Sequence, residues 1–109
     1  MAGRYLRFLD AYSPKPNEIQ ESDKVLDLGG FSSLGLDCRV LKQGAGNIYL
    51  EHAAVNEEGA WRSLGTATWD LSQSGSFVYI TQFLRFLRWR TDTNVASAPV
   101  VLLDLVAKE

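Results

Sequence analysis

From residue 25 onward the chain keeps a period near two, and this alternation constrains the fold more than any other feature. Leu34, Leu36, Cys38 and Val40 alternate with Gly35, Asp37 and Arg39, which is the pattern of a strand with one buried face. Clusters of turn residues interrupt the alternation: Gly29-Gly30, Gln43-Gly44-Ala45-Gly46-Asn47, Asn56-Glu57-Glu58-Gly59 and Ser72-Gln73-Ser74-Gly75-Ser76. Between them lie candidate strands at 25–28, 34–40, 48–55, a short one from Trp61 to Gly65, and another over 66–71. Residues 100–107 are apolar on both faces, which suits the middle of a sheet or an interface. Seven or eight short strands at roughly ten-residue spacing predict an all-β fold, an antiparallel β-sandwich of jelly-roll type. The 109 residues suit one domain.

Two stretches resist the simple pattern. Residues 77–91 are dense in aromatic and β-branched side chains with Arg85, Arg88 and Arg90 interleaved. Over 83–90 a helix would stack Phe83, Leu84 and Leu87 on one face, but the composition and the lack of a good N-cap favour a strand. The other stretch is 1–24. Tyr5, Leu6, Phe8, Leu9 and Tyr12 form an apolar cluster threaded with Arg4, Arg7 and Asp10, and Pro14 and Pro16 then stiffen the chain. Such a segment can be an edge strand followed by a surface loop, a helix, or an extended arm that seeks a neighbouring subunit. The arm reading divides the chain into an arm and linker at 1–24 and a sandwich at 25–109, with Tyr5, Leu6, Phe8, Leu9 and Tyr12 as interface residues.

The residues offer little chemistry. His52 is the one histidine and lies in a candidate strand without a nucleophile motif, so a structural or surface role is expected. Cys38 is the one cysteine, in phase with Leu36 and Val40, and reads as a small buried hydrophobe. No Cys/His cluster has metal-ligand spacing, and neither Gly29-Gly30 nor Gly44-Ala45-Gly46 leads into a helix as a phosphate loop would. No enzyme activity, cofactor or metal is therefore expected. Eleven basic and thirteen acidic residues leave a net charge of −2, which argues against nucleic acid despite the arginine-aromatic stretch. Arg88 and Arg90 share one strand face, expected to be an outer one where their aliphatic stems cover apolar neighbours and their heads pair with Asp or Glu, and they are counted with the candidate interface residues. Trp61, Trp69 and Trp89 suit core positions, and as an alternative they could line a carbohydrate- or ligand-binding face. The longest apolar run, 99–103, is far short of the roughly 20 residues of a membrane helix. Arg4, Arg7 and Asp10 interrupt any signal-peptide core, so cytoplasmic synthesis without membrane attachment is expected.

Residues 48–64 and 77–107 carry a recurring strand chemistry: Ile48-Tyr49-Leu50-Glu51, a turn ending Gly59-Ala60-Trp61, the polar turn Ser74-Gly75-Ser76, Phe86-Leu87-Arg88-Trp89-Arg90, and Val100-Val101-Leu102-Leu103. This pattern resembles small β-sandwich structural proteins of tailed-phage virions and phage-derived particles. The resemblance implies a non-enzymatic particle component, such as a capsid decoration, tail or baseplate subunit. It would assemble with itself, as a homo-oligomer, and with other particle proteins, and would reside in the virion. No catalytic residues are implied.

Overall fold

A computed structural model of the chain describes residues 3–109. Eight strands occupy the order β1 (Gly3–Tyr12), β2 (Leu26–Asp27), β3 (Ser33–Lys42), β4 (Asn47–Ala53), β5 (Arg62–Asp70), β6 (Gly75–Ile80), β7 (Phe86–Thr91) and β8 (Val100–Lys108). They form two four-stranded antiparallel sheets, β1-β8-β3-β6 and β2-β7-β4-β5. The only helical element among the described residues is a single 3-10 turn, Ser22–Lys24. The all-β sandwich expected from the alternation is the observed fold.

The core is the layer where the two inner faces meet. Leu34, Leu36 and Cys38 of β3 and Val101, Leu103, Leu105 and Ala107 of β8 face Ile48 and Leu50 of β4 and Leu87 and Trp89 of β7. Along these strands every second residue turns into this layer, as the pleat requires. β8 sits between β1 and β3, which accounts for its apolar character on both faces: its inner residues meet the core, and its outer ones cross a broad sheet face. Gly75 opens β6 at φ 96°, and a Cβ there would lie 2.1 Å from the Cys38 carbonyl oxygen. Only glycine fits this close approach of β6 to β3.

Several boundaries differ from the sequence reading. Residues 62–70 make one strand, β5, rather than two; its pairing with β4 is interrupted by a register shift between Tyr49 and Glu51. The long aromatic stretch is broken at 81–85, so β6 belongs to one sheet and β7 to the other. Within the ambiguous 83–90, strand begins at Phe86.

The largest correction concerns the arm. Met1 and Ala2 lie outside the described residues, but from Gly3 to Tyr12 the segment is an edge strand of its own domain, paired with β8 from Gly3↔Lys108 to Tyr12↔Val101. The linker that follows is also tied down. Asn17 N–H donates to the Asp92 carbonyl at 3.0 Å, Thr91 N–H to the Glu18 carbonyl at 2.9 Å, and Gln20 N–H to the Trp89 carbonyl at 3.1 Å. Residues 17–20 thus continue, beside β7, the edge that β2 occupies further along. The Thr91 hydroxyl, fully buried, donates to the Lys15 carbonyl at 2.6 Å. These bonds satisfy β7 backbone groups that would otherwise be unpaired. Of the alternatives for 1–24, the segment takes the edge-strand one, and the linker after it straps one sheet to the other.

Candidate docking face

The outer face of the β1-β8-β3-β6 sheet is where the fold collects what it does not bury. Register places Tyr5, Val106, Gly35 and Tyr79 in one row across the four strands. The adjacent row is Arg7, Asp104, Asp37 and Phe77, and the row on the other side holds Gly3, Lys108 and Ser33. Tyr5, Phe77 and Tyr79 are each about 60% exposed and Val106 41%. Soluble monomers rarely leave this many large apolar groups side by side.

Gly35 shapes the face. It has no side chain to fill the middle of the row, and the Phe77 ring leans over it: a Cβ at Gly35 would stand 3.1 Å from the ring. A shallow groove of about 250 Å³ remains, lined by Ser33, Gly35, Phe77, Tyr79, Val106 and Lys108. Its walls are mostly apolar carbon, and its one charged liner is Lys108.

Charge collects on one side of this row. Arg7 grips Asp104 with two bonds, Nε to Oδ1 at 2.8 Å and Nη2 to Oδ2 at 3.2 Å, and the Tyr5 hydroxyl donates to Asp104 at 3.1 Å. The Arg7 hydrogen bond holds the Asp104 carboxyl below its usual range, and the Tyr5 hydroxyl adds to this. Asp37 lies directly opposite Asp104 in the ladder and is met by Arg39 at 3.3 Å. Two carboxylates facing one another across a ladder repel, and the flanking arginines offset this.

The interface residues expected from sequence divide sharply. Tyr5 lies on the exposed face. Leu9 is buried in the core opposite Leu103, and Leu6 and Phe8 pack against that core. Tyr12 packs on Trp89 with ring centres 6.0 Å apart, and its hydroxyl donates to Glu18. That hydrogen bond raises the Tyr12 hydroxyl to about 12. Four of the five side chains thus serve their own domain, because β1 has a sheet beneath it to cover them.

Arg88 is likewise packed within its own domain. It is buried against Glu51 on the outer side of the other sheet, with Trp61 stacked on it. Arg90 lies beside it, partly exposed, with Nη1 3.6 Å from Glu51. The three tryptophans do not form a shared ligand surface. Trp69 and Trp89 point into the core, where the Trp69 indole N–H donates to the Ser76 carbonyl at 3.2 Å, and only Trp61 reaches the outside.

His52 is half-buried, and its Nδ1 accepts the Leu84 backbone N–H at 3.1 Å. Burial and the nearby Arg62 lower its pKa. Cys38 is buried, as its phase predicts. Among the described residues no three His, Cys, Asp or Glu side chains converge as metal ligands, and no helix is long and apolar enough to cross a membrane.

Sequence reasoning missed Gly35, Phe77, Tyr79, Val106 and Lys108. Part of the signal was present: Phe77 and Tyr79 alternate with Val78 and Ile80, so one of the two pairs must leave the core, and Val106 belongs to a strand with too many apolar residues for one face.

No protein-family model matches the chain, and no curated protein matches it. Among solved structures, the crystal structure of the SPBc2 prophage-derived protein YomS is similar with a TM-score of 0.61 and 11% identity, over 98% of this chain and 94% of that one. The likeness is one of fold: this chain has the β-sandwich architecture of a prophage-derived protein.

Proposed function

We propose that this chain is a non-enzymatic structural protein of a phage or phage-like particle, a decoration, tail or baseplate subunit that acts by protein–protein contact. The observation that carries the reading is the row Tyr5–Val106–Gly35–Tyr79 with Phe77 beside it, an exposed aromatic face on a domain small enough to need its apolar residues for its own core. Aromatic residues are enriched in the buried centres of protein interfaces, and polar groups in their rims. Here Arg7, Asp104, Asp37 and Lys108 supply the rim. A whole-chain fold shared with a prophage-derived protein supports the phage context. So does the strand chemistry of residues 48–64 and 77–107.

The test is to purify particles from cells that produce the chain and measure its abundance by quantitative mass spectrometry. The expected result is fixed stoichiometry with the other particle proteins, lost when Phe77 and Tyr79 are both replaced by Ser. A chain found only in the soluble fraction would overturn the proposal.

A further inference from the structure

We propose that the occupant of this face is a second copy of the chain, packed sheet to sheet with its strands running opposite, so that Lys108 of each copy lies over Asp37 and Asp104 of the other. The proposal rests on the docking reading above and adds the partner and its orientation. Two sheets pack face to face with their strands nearly aligned, offset by the sheet twist. A symmetric pair joined through one face then has two choices, since its two-fold axis can run along the strands or across them.

The charge pattern selects between them. The row Tyr5–Val106–Gly35–Tyr79 has Lys108 two residues to one side on β8 and Asp104 two residues to the other, with Asp37 opposite Asp104. With the axis along the strands, each row stays level with itself, so lysine stays level with lysine and carboxylates with carboxylates. With the axis across the strands and along the aromatic row, each Lys108 is carried over the Asp37–Asp104 pair of the other copy. Asp104 is already taken up by Arg7 and the Tyr5 hydroxyl, but Asp37 beside it is met by Arg39 alone, at 3.3 Å, and is the more exposed of the two, so it is the carboxylate that can take a further cation. Among the described residues Lys108 forms no ion pair of its own. The same rotation lays aromatic row on aromatic row. It also moves the second copy's Phe77 to the level of Ser33 and Lys108, the open end of the groove.

Sedimentation equilibrium and light scattering on the full chain test the proposal. A dimer is expected at about 100 µM. Phe77→Ser with Tyr79→Ser should leave a folded monomer, checked by an unchanged β circular dichroism spectrum. Lys108→Glu alone and Asp37→Lys alone should each weaken the dimer about tenfold or more, and the double charge swap should recover most of that loss. A wild-type chain that stays monomeric to about 0.5 mM overturns the proposal. So does a dimer indifferent to the Phe77/Tyr79 pair, as one joined through the free edge of β1 would be. Failure of the charge swap to rescue overturns the orientation. Particle incorporation is read separately: a monomer that still enters particles through Phe77 and Tyr79 leaves the docking function standing without the dimer.

Discussion

Arg88 holds its guanidinium carbon 4.2 Å from the centre of the Trp61 ring while Nε and Nη2 both stand 2.8 Å from Glu51 Oε1. Both charged side chains are only 9% exposed although they lie on the outer side of a sheet. The indole supplies the cover that a third layer would otherwise provide, and a cation on its face is favoured when water is excluded.

Removing the Glu51 charge leaves Arg88 buried without its carboxylate, and removing Arg88 leaves Glu51 buried with only Arg90 at 3.6 Å. Arg88→Ala or Glu51→Gln should therefore lower stability by about 3–5 kcal/mol in urea unfolding. The double change to apolar residues, Arg88→Met with Glu51→Met, should cost much less than the sum of the single changes. Arg90→Met, whose Nε has no hydrogen-bond partner, should cost under about 1 kcal/mol. Equal losses for Arg88→Ala and Arg90→Met would contradict this account.

β1 is structural. Deleting residues 1–16 removes an edge strand and uncovers the backbone of β8, so the truncated chain should fail to give a cooperative thermal transition. Leu9→Ala tests the same point with a single change, and should cost about 2–4 kcal/mol as a core truncation. Tyr5→Ser, on the exposed face, should leave the melting temperature within a few degrees.

Gly75→Ala should be among the most disruptive single-methyl changes. The positive φ alone costs about 1–2 kcal/mol for a residue with a Cβ, and the Cys38 carbonyl blocks the space that the methyl needs. Gly59 has φ 88° but open space around it, so Gly59→Ala should show the conformational cost alone. Parallel chemical denaturation of the two variants separates strain from clash.

Stability should fall at both ends of the pH scale for different groups. Hydrogen bonds from Arg85, and then from the Gly29 N–H, hold Asp27 at about 2, and Arg7 lowers Asp104. An unfolded carboxyl titrates near 4, so the unfolded chain takes up protons first and the stabilisation present above about pH 4 is lost as pH falls towards 2. Asp27→Asn should shallow that slope, and added salt should do the same because this pair is exposed. On the alkaline side, burial raises the Cys38 thiol to about 12. The unfolded thiol ionises near 8.5, so stability declines from there up to about pH 12, and Cys38→Ala should flatten this decline. Urea midpoints from pH 2 to 11 read both effects.

Residues 34–40 declared a half-buried strand because the period of two is a local property of the pleat, and the structure buries Leu34, Leu36 and Cys38 as that phase requires. Residues 100–107 announced a strand with neighbours on both sides for the same reason, and β8 has them. Gly75 and the glycines at 46 and 59 marked turns because their backbone angles are set within a few residues. What the sequence could not decide was which neighbour each strand meets. The alternation of Tyr5 with Leu6 and of Phe77 with Val78 shows that two faces exist. Which face turns inward depends on β8 and β3, strands far away in the chain. The 1–24 segment carried enough apolar surface to need a cover, and only the tertiary structure determined that its cover is its own domain, with β7 binding the linker at residues 17–20. Arg88 was legible as a strand residue on the face opposite Leu87 and Trp89. Its burial came from Glu51 and Trp61, which reach it from other parts of the chain. The exposed aromatic face is the extreme case: Tyr5, Val106, Gly35 and Tyr79 come from four strands, and they form one row only because the ladder registers of β1, β8, β3 and β6 bring them level.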